Sequence, residues 1–166
     1  MDIRKATFND LQQILDIYAF AREFMASNNN PTQWGTTYPS LEQVTHDITN
    51  KELYVAHVGN EIAGVFMLLE KPEPDYTTII GNWLNDEPYV TIHRVATIGK
   101  HKGVLTTCIN YAKTLSDNVR VDTHENNFIV QKVALANDFT YCGTVFIKSG
   151  DSRRAYHWCD KQQLDK

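Results

Sequence analysis

Apolar residues recur along this chain with two spacings, and the points where one gives way to the other mark out its elements. Residues 2–6 suit a short first strand, and Thr7 with Asp10 three positions on has the spacing of a helix capping box. Leu11, Ile14, Leu15, Tyr18, Ala21 and Met25 then repeat at helical intervals, which predicts a helix to about Ser27, stopped by Asn28, Asn29, Asn30 and Pro31. The next segment, TQWGTTYP (32–39), is polar and rich in turn formers yet carries two large aromatics, Trp34 and Tyr38. It reads as a loop, and its rings either close over a ligand or pin it to the core. Ser40 and Gln43 open a second, shorter helix through Ile48.

Strand-like runs follow. LYVAHV (53–58) and IAGVFMLL (62–69), separated by Gly59, Asn60 and Glu61, predict an antiparallel hairpin. Lys71 to Asp75, with two prolines, reads as a surface connection, and Tyr76 to Ile80 as a further strand segment before a loop anchored by Trp83. A strand over 89–98 precedes a helix from about Val104 to Ser116 that presents Leu105, Cys108, Ile109, Ala112 and Leu115 on one side. Val119 to Asp122 predicts a short strand and Phe128 to Ala136 a helix. Phe139 to Lys148 and Arg154 to Cys159 alternate as a terminal antiparallel pair. The pattern as a whole is that of an α/β or α+β protein, a mixed sheet with helices on its faces.

The junction between the strand ending near Thr97 and the helix starting near Val104 carries the chemistry. Gly99 and Gly103 allow a tight turn, and Lys100, His101 and Lys102 make it cationic. Strand, glycine turn and helix start together place backbone N–H groups and positive side chains where they can hold a phosphorylated ligand. The competing reading is a solvated basic turn.

Composition narrows the remaining classes. With 166 residues the chain suits one domain, 1–166, with one core. A net charge of -4 gives nucleic acid no broad positive surface. The start MDIRKATFNDLQ brings in charge at once, and no apolar run suits a signal peptide or a membrane span, so a cytoplasmic location is expected. Cys108, Cys142 and Cys159 are odd in number and widely spaced, which points to buried structural thiols. Asp122 and Glu125 form an acidic pair without the spacing of a metal cage, so no metal is expected. A phosphate loop of the nucleotidase kind, ending in Lys and Ser or Thr, is absent.

Four segments taken in order, IRKATFNDL, NPTQWGTTYPS, TIHRVAT and DTHENN, resemble the GCN5-related N-acetyltransferase (GNAT) superfamily and its small bacterial members. The resemblance spans nearly the whole chain. It implies a GNAT-like mixed central sheet flanked by helices, with acetyl-coenzyme A as cosubstrate. Backbone groups of Val95 and Thr97 are then expected to pair with the pantetheine arm. Lys100 and the amides of His101, Lys102, Gly103, Val104, Leu105 and Thr106 would receive the pyrophosphate, and Asn127 would touch the pantetheine region. Trp34 and Tyr38 would line the acceptor site, and the acceptor would be a small-molecule or peptide amine. The general base would be His93 or Glu125, with His124 as a further alternative. A homodimer face on the last strand is permitted by the family, where Arg153 and Arg154 would lie.

This chain departs from the family pattern in three places. Leu105 replaces a small residue in the phosphate turn, Asp138 stands where a glycine is usual, and Ala134 occupies the position often held by a tyrosine that serves as the acid. Alanine has no exchangeable proton, so that role has no occupant there. The departures motivate the alternative reading, a noncatalytic coenzyme A-binding or partner-binding domain.

Overall fold

Asp10 closes one half of the expected capping box, its Oδ2 accepting the Thr7 N–H at 2.9 Å. Arg4 forks onto the same carboxylate at 2.8 and 2.9 Å and holds it below the usual carboxylate range. From there α1 (Leu11–Ser27) buries Ile14, Ile17, Tyr18 and Ala21. This is the expected face with Ile17 added, and Phe20 and Phe24 are left exposed. Ser40 Oγ accepts the Gln43 amide at 3.1 Å and starts α2 (Leu41–Thr49).

The computed structural model describes residues 1–160, and these form two compact units. The first comprises Met1–Leu68 with Arg94–Cys108, the second Leu69–His93 with 109–160. In the first unit β1 (Asp2–Lys5) pairs antiparallel with β2 (Leu53–Val58), and β2 pairs with β3 (Glu61–Leu69), with a register shift between Ala56 and His57. Beside β3 runs the C-terminal half of β5 (Val90–Thr97), tied by the Thr97 hydroxyl and the Ile98 amide to the Ala63 carbonyl. Gly64 on β3 is required there, because a methyl group in its place would collide with Val104 and with the Ala96 carbonyl.

In the second unit the strand order is β5, β6 (Asn118–Thr123), β8 (Ser152–Cys159), β7 (Thr140–Phe146) and β4 (Ile79–Gly81). Its β5–β6 pairing is parallel, and β6–β8, β8–β7 and β7–β4 are antiparallel. α3 (Val104–Leu115) precedes β6 and α4 (Phe128–Ala136) follows it. The fold is thus the expected mixed α/β class, a mixed sheet flanked by helices.

One predicted strand is corrected. Tyr76 does not begin a strand: Pro74–Tyr76 is a single helical turn, and β4 starts only at Ile79. Glu73 Oε1 accepts the Asp75 amide at 3.2 Å and Pro74 fixes the first helical φ, so the local hydrogen bond outweighs the β-branched run that follows. Trp83 is the expected anchor, donating its indole N–H to the Tyr76 carbonyl at 3.1 Å. All three cysteines are buried thiols, as expected. Among the described residues no helix is long and apolar enough to cross a membrane.

His157 on β8 is fully buried. Its Nδ1 accepts the Leu84 amide at 3.2 Å, so the ring proton resides on Nε2 and goes to Asn118 Oδ1 at 2.8 Å. Burial, helped by Arg120, pushes the imidazole down to about 4, so it is neutral in the folded state. The unfolded chain binds a proton there at a higher pH than the native chain does. Stability should therefore fall as pH drops from about 6.5 to about 4 and level off below that. Unfolding free energies measured across this window in wild type and in His157→Gln check this, with the variant expected to lose that part of the slope.

Candidate functional site

In the first unit, the backbone of Arg94 leaves the strand conformation with φ 50°. A non-glycine residue in that region needs outside support. Tyr18 supplies it from α1 by donating its hydroxyl to the Arg94 carbonyl at 2.8 Å. Burial pushes the Tyr18 hydroxyl far up, so it remains a donor. Arg94 Nε and Nη2 grip the two oxygens of Asp47 on α2 at 2.7 and 2.9 Å, and its Nη1 donates to the Tyr38 phenol oxygen at 3.0 Å. Burial opposes the guanidinium charge, but Tyr38 and Asp47 outweigh it and hold the group above its ordinary range. Asp47 is buried and also accepts from Gln43 Nε2 at 3.0 Å.

The same network orders the aromatic loop. Trp34 packs edge-on against Tyr18 at 5.7 Å and against Tyr38 at 6.3 Å between ring centres. The two predicted acceptor-site aromatics are therefore neighbours, Trp34 half-buried and Tyr38 40% exposed.

Beyond Arg94, Val95 and Thr97 lead into the cationic turn. Gly99 and Gly103 take φ 76° and 77°, the left-handed values their lack of a side chain permits. A side chain at Gly103 would meet open space, so it is the backbone angle that calls for glycine there. Lys100 Nζ and His101 Nε2 lie 3.2 and 2.7 Å from the two oxygens of Glu61, whose carboxylate is held below its usual range first by His101 and then by Lys100. Lys102 is exposed. Val104 is buried at the start of α3, and Leu105 is half-buried beside it without displacing the helix start.

In the second unit, His93 finds a partner that its sequence neighbours did not announce. Its Nε2 lies 2.7 Å from Glu73 Oε2, in the connection between two prolines. Glu73 is fixed from three sides: its amide donates to the Tyr89 hydroxyl at 2.9 Å, its other oxygen takes the Asp75 amide, and His93 holds Oε2. Tyr76, fully enclosed, donates its hydroxyl to Asp122 Oδ2 at 2.5 Å. Burial and then the Asp122 charge push that hydroxyl well above its usual range. Burial also raises the Asp75 carboxyl, and the charges of Glu73 and Asp122 add to it.

Glu125 stands exposed in the turn after β6. His124 is pushed down by burial and by Arg153. Asn127 is the N-cap of α4, its Oδ1 accepting the Val130 amide at 3.2 Å. Ala134 is buried on α4. Arg94, Asp47, Glu73 and Tyr76 were not foreseen as site residues. The signals available were Arg94 next to His93 in TIHRVA and a carboxylate locked between Pro72 and Pro74. Among the described residues no cluster of three or more His, Cys, Asp or Glu side chains could hold a metal ion.

No family model matches the chain, and no curated protein does. Solved structures do. A GNAT-family acetyltransferase from Streptococcus agalactiae is 28% identical, with a TM-score of 0.86 over 95% of this chain and 94% of that one. A GNAT-family acetyltransferase from Listeria monocytogenes is 18% identical, with a TM-score of 0.69 over 94% and 92%. The ribosomal-protein-alanine N-acetyltransferase of Brucella melitensis is 18% identical, with a TM-score of 0.64 over 96% and 99%.

The Arg94–Asp47 pair yields a stability prediction. Asp47→Ala leaves a guanidinium enclosed without its counter-charge, and such a loss costs about 3–5 kcal/mol. Denaturant unfolding of the variant against wild type measures it; a change under about 1 kcal/mol would show that the guanidinium finds water or another acceptor.

Proposed function

We propose, from the premise that the chain belongs to the GCN5-related N-acetyltransferase superfamily, that it transfers the acetyl group of acetyl-coenzyme A directly to a primary amine of a small molecule or peptide. The observation that carries the reading is the turn between β5 and α3. Two left-handed glycines frame Lys100, His101 and Lys102 just before a helix start, an arrangement suited to a pyrophosphate. The fit is backbone-led: Val95 and Thr97 would hold the pantetheine arm, and the amides of the turn and first helical residues the phosphates. Lys102 would add charge, as would Lys100 and His101, which Glu61 now holds.

Acetyl-coenzyme A supplies an activated acetyl group as a thioester. The chain's task is to present a deprotonated amine to it. With Glu73 ionised, His93 keeps its proton on Nε2 and offers Nδ1 as the base. Glu73 thus fixes both the ring's tautomer and its orientation. A second reading, a module that binds coenzyme A without turnover, is favoured by Ala134, which brings no hydroxyl to the position where the family often has its acid.

Calorimetric titration with acetyl-coenzyme A, followed by thiol release across a panel of amines, tests the two together. Saturable binding with turnover is expected. Binding without turnover would select the second reading, and no binding by the folded protein would overturn both. Replacing His93 by Ala should lower kcat about a hundredfold. Glu73→Gln, which keeps a hydrogen-bond acceptor but removes the charge, should lower it by a smaller factor. Both should leave the KM for acetyl-coenzyme A unchanged, and unaltered steady-state rates in folded variants would remove the pair from the mechanism.

A further inference from the structure

We propose that the Tyr38 hydroxyl is the hydrogen-bond and proton donor to the coenzyme A sulfur, filling the role that Ala134 leaves vacant; the assignment rests on the acetyl-transfer reading above. Arginine has donors only, so in the 3.0 Å contact between Arg94 Nη1 and Tyr38 the phenol oxygen must accept. The phenol's own hydrogen is not spent on that contact. It belongs to an exposed side chain and is available to a ligand.

Position supports the same role. Arg94 immediately precedes Val95, whose backbone is proposed to hold the pantetheine arm, and the φ of 50° at Arg94 sets how its side chain leaves the strand. Asp47 takes Nε and Nη2, so only Nη1 is left to reach Tyr38. The Trp34 ring steadies the phenol from the side. The hydroxyl is therefore tied, through one arginine side chain, to the strand residue next to the proposed thioester arm.

The chemistry balances. As the amine nitrogen bonds to the acetyl carbon, the carbon–sulfur bond breaks and its electron pair stays on sulfur. The phenol proton passes to that sulfur, giving the thiol and a phenolate facing the Arg94 guanidinium. The proton lost by the amine goes to His93. Exchange with water then restores the phenol and the neutral imidazole, leaving an amide and coenzyme A.

Tyr38→Phe keeps the ring against Trp34 and removes only the oxygen. Two measurements on this variant decide the matter. The first is kcat and KM with acetyl-coenzyme A and whichever amine wild type accepts. kcat should fall about a hundredfold, with KM for acetyl-coenzyme A unchanged. The second is calorimetric affinity for coenzyme A and for acetyl-coenzyme A, at neutral pH and at alkaline pH, where free thiols ionise. Affinity for coenzyme A should drop several-fold, more so at alkaline pH, while that for acetyl-coenzyme A holds.

Unchanged coenzyme A affinity overturns the contact with sulfur, whatever happens to the rate, and an unchanged rate overturns the proton transfer. If wild type binds both ligands but acetylates no amine, the transfer reading fails and the binding pair alone decides whether the hydroxyl meets sulfur. If wild type binds neither, the acetyl-coenzyme A reading falls and takes this assignment with it.

Discussion

The left-handed backbone of Arg94 is the constraint on which the candidate chemistry depends. A side chain at φ 50° costs of order 1–3 kcal/mol and persists only where its surroundings hold it there. Here α1 holds the carbonyl through Tyr18, and α2 holds the guanidinium through Asp47. A regular strand would send alternate side chains to opposite faces without interruption. Arg94 meets Asp47 of α2 and Tyr38 of the aromatic loop, both in its own unit. His93, one residue earlier, turns to Glu73. Two consecutive residues thus have different structural tasks, each with its own partners.

Each task relies on a polar group that burial would otherwise make costly. Arg120, buried on β6, lies with its guanidinium carbon 4.1 Å from the Trp83 ring centre and 3.9 Å from that of Tyr89, and gives Nη2 to the Asn85 carbonyl. The aromatic faces offset the lost hydration where hydrogen-bond acceptors are few. That cation in turn fixes Tyr89, whose hydroxyl receives the Glu73 amide, and Glu73 fixes His93. The imidazole is thus positioned by a chain of contacts that begins in the sheet of its own unit and passes through two aromatic rings and one carboxylate.

How much of this was legible depended on the range of the interaction. Helix starts at Ser40 and Phe128, the β2–β3 hairpin and the glycine turn before α3 rest on contacts within a few residues, and the sequence displays both partners of each. Glu73 and His93 are 20 residues apart, and Asp47 and Arg94 are 47 apart. No periodicity couples such pairs, because the spacing that matters is set by the fold and not by the helix or strand repeat. Tyr76 shows the same limit from the other side: its β-branched neighbours favour a strand, but Pro74 and the Glu73 cap turn the chain first. Trp34 and Tyr38 mark the aromatic loop in the sequence, yet what orders it is an arginine in the middle of a strand.

The departures from the family pattern acquire physical meaning in this setting. Asp138, where glycine is usual, adopts φ 68°, a conformation that aspartate tolerates better than most side chains, so the turn into β7 survives the change. Leu105 is half-buried and α3 still begins at Val104, so the bulk is accommodated by the helix flank. Ala134 differs in kind. Asp138 and Leu105 preserve a backbone path, which many side chains can share, whereas alanine at 134 packs into the core and has no exchangeable proton, which no backbone geometry can supply. Under the acetyl-transfer reading the proton would have to come from another hydroxyl or from water. The Arg94–Asp47 pair, an ion pair of little use for stability beyond apolar packing, leaves a single guanidinium nitrogen directed at an exposed phenol.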